Sequence, residues 1–264
     1  SITPKVMAEF EQWRDAQTHH ALPASTITNH NTMLNKVFEV AMQHGWASRE
    51  QLPTLKNKGR KSEVRPTFSL QEYRRLTQQL RHWSGTGRTE KTRQMRELLR
   101  DYVLILANTG IRHGTEALNL KWRHIEWYVD PSRQEYIQFT VDGKTGKRQL
   151  IAKHQVARYL ERIKNRFPDL CAYSLDELFK ARVNEYVFRL RDGKQTKYLY
   201  QSFTQFLRDN DLLYGTTSEK KRTLYSLRHY YATRELYKGR NIHQLAIQMG
   251  TSVTMLEQHY SKLT

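Results

Sequence analysis

Apolar residues recur at helical spacing along most of this chain. Val6, Phe10 and Trp13 share one face near the start, and Leu34, Val37, Phe38 and Ala41 share another, between a Ser25–Thr26 start signal and Gly45. Two such helices enclose little core, so they are expected to belong to a small helical domain that is cut short here. Ser69 and Glu72 form an S-x-x-E capping pattern that opens a helix with Tyr73, Leu76 and Leu80 on one side. Trp83 to Arg96 is polar and reads as a surface loop, or one leading into the next helix. Tyr102 to Ala107 is apolar nearly all round and predicts a buried helix closed by Thr109–Gly110, although periodicity alone leaves a strand open. Tyr136 to Val141 alternates, DGKTGK supplies a turn and Gln149 to Ala152 returns, which predicts a β-hairpin. Three further helical stripes follow: Val156, Leu160 and Ile163; Leu199, Phe203, Phe206 and Leu207; and Ile242, Leu245, Ala246 and Met249, with Asn241 as the cap. No internal repeat or long low-complexity tract interrupts them. The expected fold is mainly α with a small antiparallel β-sheet (α+β).

The segment KNKGRKSEVRP, residues 56–66, is polar and basic and ends at Pro66, so it reads as an exposed connector. It divides the chain into an N-terminal helical part (1–57), a basic linker (58–65) and a larger domain (66–264). Lys56, Lys58, Arg60 and Lys61 are candidates for contact with a nucleic-acid backbone; a merely solvated connector is the equal alternative. Across 264 residues there are 44 lysines and arginines against 26 acidic residues, a net charge of +18. That excess points to a polyanionic partner, most often nucleic acid, with a generically basic protein as the plain alternative. No basic stretch is paired with a sustained apolar helical face, which argues against a membrane-surface role. The single cysteine, Cys171, excludes an internal disulfide and a cysteine-based metal cluster. Nothing resembles a signal peptide, and the longest apolar run, Val103 to Ala107, is too short to span a bilayer. A cytoplasmic, nucleoid-associated protein is expected. Its start at Ser1 rather than Met reads as a fragment of a longer chain.

Four short segments could carry chemistry. Arg112 lies in TGIRHGTEALNLKW, Lys144 in VDGKTGKRQL, Arg228 in LYSLRHYYATREL and Tyr260 in QMGTSVTMLEQHYSKL. A phosphoryl-transfer site must offset the charge on the non-bridging oxygens, and a guanidinium does so through two parallel hydrogen bonds. A lysine can protonate a leaving oxygen, and a tyrosine can attack phosphorus. Each residue alone has a bland reading: a surface salt bridge for either arginine, a solvated turn residue for Lys144, and a packed aromatic anchor for Tyr260, which shares a face with Val253 and Leu256.

Together the segments resemble the tyrosine recombinase, or phage integrase, family, most like integrases of phages or integrative elements. TGIRHGTEALNLKW is similar to the first arginine box, YSLRHYYATREL to the second, and MGTSVTMLEQHY to the segment that delivers the nucleophile. The likeness runs from about Pro66 to the C-terminus, and the first 57 residues resemble the latter half of a helical core-binding domain. The resemblance implies that Tyr260 attacks a DNA phosphate to form a 3′-phosphotyrosyl bond, while Lys144 protonates the departing 5′-oxygen. Lys147 is the alternative lysine and, with Arg148, a candidate for contact with DNA. An unperturbed phenol has a pKa of about 10, so activation must come from the site.

Three positions depart from the family pattern. Tyr225 stands where the second box has His or Lys, and Thr251 stands where His or Trp follows the glycine. The acidic residue of the first box normally lies three residues after the arginine; Thr115 holds that place and Glu116 follows, so Glu116 is expected to serve through a one-residue local adjustment. His229 and His259 flank Arg228 and Tyr260 and are candidates to compensate. No metal-ligand spacing and no Gly-rich phosphate loop is present, so neither metal nor ATP is expected as cofactor. The implied function is site-specific recombination that integrates or excises a mobile element in a bacterial or phage-infected cell. The implied partners are double-stranded DNA carrying specific core sites, a homotetramer on two duplexes and accessory DNA-bending proteins. A type IB topoisomerase-like enzyme and a catalytically inactive DNA-binding regulator are the alternatives.

Overall fold

The computed structural model describes residues 3–18, 21–60, 66–143, 146–215 and 218–260. The chain divides into two compact units, Ser1–Val64 and Arg65–Thr264.

The first unit holds the two expected helices, α1 (Pro4–Thr18) and α2 (Ala24–Gln43). Their apolar stripes are unequally covered. Ile27 and Phe38 are buried, whereas Trp13 and Val37 are 59% and 60% exposed. The beginning of the expected linker folds back on this unit. Asn57 Nδ2 donates to Ala24 O and to Thr28 Oγ1, both at 2.8 Å. Arg60 donates its N–H to Leu22 O at 2.9 Å and accepts from the Ala24 N–H at 2.8 Å, which satisfies one of the unpaired donors at the start of α2. Lys58 to Arg60 therefore form a strap on α2, and residues 61–65 lie outside the described residues.

The second unit is built around α4 (Glu90–Thr109), which packs against α3 (Leu70–Trp83), α6 (Val156–Lys164), α8 (Leu199–Asp209) and α9 (Tyr225–Tyr237). The residues from Tyr102 to Ala107 are helical, which resolves the helix-or-strand ambiguity, and Leu104 alone among them is not fully covered. The preceding polar stretch is mostly helix too. Thr89 Oγ1 accepts the Thr92 N–H at 3.2 Å and starts α4 at Glu90, so the surface loop is shorter than its composition suggests. The first turns of α4 are polar because Arg93 and its ion-pair partner Glu90 are both half-exposed.

At the other expected start, Ser69 and Glu72 form the full capping box of α3. Glu72 also pairs with Arg222 at 2.6 Å, and Arg222 donates to Thr67 O at 2.9 Å. This buried arginine ties the first turn of the unit to the segment that leads into α9.

The short α5 (Thr115–Leu118) leads into a three-stranded antiparallel meander of β1 (Ile125–Val129), β2 (Glu135–Gly143) and β3 (Gly146–Ile151). The β2–β3 hairpin was legible in the alternation. β1 was not, because Ile125 is its one fully buried residue. Helix α7 (Leu175–Lys180) and a small hairpin of β4 (Tyr214–Gly215) and β5 (Ser218–Lys221) were also unforeseen. The chain closes with α10 (Ile242–Met249), capped by Asn241 as expected, and α11 (Val253–Tyr260). Among the described residues, no helix is long and apolar enough to cross a membrane.

Phe139 is fully buried and sits between Ile125 and Leu150 in the sheet register. Phe139→Ala should destabilise the second unit by about 3–5 kcal/mol, as a lost aromatic in a packed core does. Urea denaturation followed by tryptophan fluorescence checks this.

Candidate active site

Helix α4 stops at Gly110, and the chain turns through Arg112 into α5. Glu116 in α5 points back along this turn and is buried. Its Oε2 accepts the Arg112 N–H at 2.9 Å, and its Oε1 accepts from Arg112 Nη1. The same carboxylate is gripped from the sheet: Arg148 on β3 donates Nη1 to Oε1 at 2.6 Å and Nη2 to Oε2 at 2.8 Å. This two-pronged pairing matches the planar fork of a guanidinium to a carboxylate. The carboxylate lies directly on the backbone of Gly143 at the end of β2. A Cβ there would fall 2.3 Å from Glu116 Oε1, so only glycine leaves the space.

The three arginines then converge on the end of α10. Arg112 Nη2 donates to Gly250 O, Arg148 Nε to Gln248 O at 3.4 Å, and Arg228 Nη2 to Met249 O. Arg228, buried in α9, also donates Nη1 to Gly110 O. The last carbonyls of a helix lack intrahelical partners and carry its partial negative charge, so cations belong there. The Gln248 side chain secures the same end to the sheet. Its Oε1 accepts the Ile151 N–H at 2.9 Å and its Nε2 donates to Ile151 O at 2.7 Å. Helix α11 starts three residues after Gly250, with Leu256 buried against Tyr231, Leu245 and Met249. Tyr260 is its final residue; the side chains of His259 and Tyr260 lie outside the described ones.

Electrostatics follow from this packing. Burial pushes the Glu116 carboxyl upward, but the hydrogen bonds and charges of Arg148 and Arg112 outweigh it and hold the group at about 2. Burial pulls Arg228 down to about 10; Tyr225 opposes the shift, and like-charge repulsion from Arg112 and Arg148 adds to it. Arg228 is still a cation at neutral pH. Three guanidiniums against one carboxylate leave positive charge over, in a place where water screens poorly. Arg112, with 22% of its side chain exposed, is the member that reaches the surface.

The other expected residues take varied places. Tyr225 is half-buried one turn before Arg228, its ring edge-on to His229 at 5.1 Å, and His229 is buried. Thr251 follows Gly250 directly and donates its N–H to Ala246 O at 3.0 Å. Lys144 lies outside the described residues, between Gly143 and Gly146, the last pair of the hairpin ladder. Lys147 is exposed on β3. In the first unit Lys56 and Arg60 are exposed, and Lys58 pairs with Glu11 at 3.0 Å. Lys61 lies outside the described residues. Arg148, a candidate for contact with DNA, has only 11% of its side chain exposed. Its guanidinium faces Glu116 and the end of α10, because those are the acceptors buried beside it. Gln248 was not foreseen at all, since its role depends on a strand end 97 residues away.

No protein-family model and no curated protein sequence matches the chain. Solved structures do. XerH site-specific recombinase bound to palindromic difH substrate, in a post-cleavage complex, superposes with a TM-score of 0.66 at 18% identity, over 96% of this chain and 67% of that one. Tn1549 transposon integrase in complex with circular intermediate DNA gives 0.62 at 16% identity, over 94% and 78%. A lambda integrase dimer bound to a COC′ core site gives 0.61 at 14% identity, over 96% and 77%. This chain has the tyrosine recombinase fold. Against the XerH chain of a pre-cleavage complex, it spans 55% of that chain's length.

In this tyrosine recombinase fold, Glu116 makes a pH-dependent contribution to stability. Its folded value of about 2 lies below the unfolded value of about 4.3. The contribution is therefore present above the unfolded value and lost as pH falls from about 5 towards 2, amounting to about 3 kcal/mol. Glu116→Gln should flatten the stability profile across that window and lower stability at pH 7. Urea titrations at several pH values check both effects.

Proposed function

We propose that this protein is a site-specific DNA recombinase that cuts and reseals DNA through a 3′-phosphotyrosyl intermediate. The observation that carries this reading is the convergence of Arg112, Arg148 and Arg228 on the end of α10, just before the helix that ends in Tyr260. The site has positive charge to spare, and the tyrosine is the last residue of the helix tethered to it. A net charge of +18 supports a polyanionic substrate. The structural neighbours, recombinases and integrases crystallised with DNA, support the same class of reaction.

In the proposed reaction the Tyr260 oxygen attacks phosphorus as the bond to the 5′-oxygen breaks, and its phenol proton passes to solvent. Lys144 gives the departing oxygen its proton. Arg112 and Arg228 offset the charge that builds on the non-bridging oxygens, as fixed donors do in electrostatic catalysis. Glu116 keeps the Arg112 guanidinium in place, and Tyr225 and Thr251 offer hydroxyls near the phosphate. Resealing is the reverse step, so the energy of the broken bond is kept in the phosphotyrosyl link. Two duplexes with specific core sites, bound by four copies and bent by accessory proteins, complete an integration or excision event. Lys56, Lys58, Arg60, Lys61 and Lys147 contribute phosphate contacts.

The first test is covalent trapping on a nicked suicide DNA substrate carrying the core site, with chelator present. The wild-type chain should give a DNA–protein band whose link peptide mapping assigns to Tyr260. Tyr260→Phe should abolish the band and bind the same DNA within about twofold. A band that survives Tyr260→Phe overturns the nucleophile assignment. Tight binding without any band favours a non-catalytic DNA-binding protein, and relaxation of a plasmid lacking a core site favours a topoisomerase. Because phosphate contacts dominate, DNA affinity should fall by about 10³-fold or more between about 50 and 200 mM salt, which filter binding checks.

A further inference from the structure

The turn between Arg112 and Glu116 receives a side chain from α4. Tyr102 in α4 is fully buried. Its hydroxyl accepts the Gly114 N–H at 3.3 Å and lies 2.8 Å from His113 Nδ1. A phenol has a single hydrogen. Donation of that hydrogen to His113 Nδ1 requires the neutral ring with its own hydrogen on Nε2. Burial lowers the His113 imidazole below its ordinary value, which keeps Nδ1 free to accept at neutral pH. The Tyr102 ring is itself held edge-on between His113 and Phe188, at centroid distances of 5.7 and 4.7 Å.

This contact lies at the start of α5. Gly114 has φ 92° and ψ −125°, a conformation reserved for glycine. Its carbonyl accepts the Leu118 N–H at 2.8 Å, and the Arg112 carbonyl accepts the Ala117 N–H at 3.2 Å. Those two bonds orient the single turn that carries Glu116 back to the Arg112 N–H. A four-residue helix cannot set its own start, so an external anchor must do it.

We propose that Tyr102 and His113 are a positioning pair that anchors this turn and holds Arg112 and Glu116 in the geometry that receives a DNA phosphate. The proposal rests on the recombinase reading given above, but concerns a role that neither residue fills by touching substrate.

The test compares Tyr102→Phe, His113→Ala and His113→Asn with wild type in two measurements. One is hydrogen exchange of the Arg112 amide, which reports its bond to Glu116 and needs no activity. The other is the rate of covalent trapping, set beside DNA affinity. Tyr102→Phe and His113→Ala should each speed exchange at Arg112 and slow trapping by at least about tenfold, with DNA affinity within about twofold. His113→Asn places an amide oxygen where Nδ1 accepts and should restore most of both. If Tyr102→Phe fails to fold, the alanine and asparagine variants carry the comparison. Wild-type exchange and trapping in His113→Ala, or no rescue by asparagine, overturns the pair. If wild type itself forms no adduct, the recombinase reading fails, and exchange at Arg112 alone decides whether the pair positions the turn.

Discussion

The end of α10 is the point on which the candidate site depends. Its last carbonyls, from Gln248, Met249 and Gly250, each accept from a different arginine, and those arginines come from the turn after α4, from β3 and from α9. A helix end would ordinarily give these oxygens to water. Here they become the common acceptor that draws three distant parts of the chain together. Because α11 starts three residues beyond Gly250, the same contacts determine where the final helix sets out.

Glu116 is the counterweight. Three guanidiniums in one buried region would repel each other, and the shift of Arg228 to about 10 registers that repulsion along with burial. One carboxylate, shared by Arg112 and Arg148, removes part of the charge and leaves the rest available. A second acid would cancel the positive surplus. No acid at all would leave buried cations without a partner, which costs several kcal/mol. The glycine at 143 belongs to this balance, since it lets the sheet approach the carboxylate closely enough for Arg148 to reach both oxygens.

The two ends of the site differ in how firmly they are held. Arg228 is buried in α9 with both Nη groups on backbone carbonyls, and Arg148 is clamped between Glu116 and α10. These are parts of the scaffold as well as of the charge. Arg112 keeps more contact with solvent, on a turn whose Gly114 N–H donates to the Tyr102 hydroxyl.

Much of this was readable without coordinates. Helical spacing located α1, α2, α3, α6, α8 and α10, the S-x-x-E pattern marked the start of α3, and alternation marked the β2–β3 hairpin, because these signals arise from neighbours a few residues apart. The motif segments likewise singled out Arg112, Arg228 and Glu116, and the net charge pointed to a polyanion. The strand β1 escaped notice because a strand with one buried residue has no alternation to see. Arg148 read as a candidate for contact with DNA and Tyr102 as part of a buried helix, and Gln248 carried no signal. Each owes its part to a partner that only folding brings near: Glu116 lies 32 residues from Arg148, and Ile151 lies 97 from Gln248. Residue types and local spacing determined which groups could hold a phosphate. Which of them meet, and which carbonyls and carboxylate they meet on, was decided by the tertiary structure, because hydrogen bonds between distant segments depend on distances that no local pattern encodes.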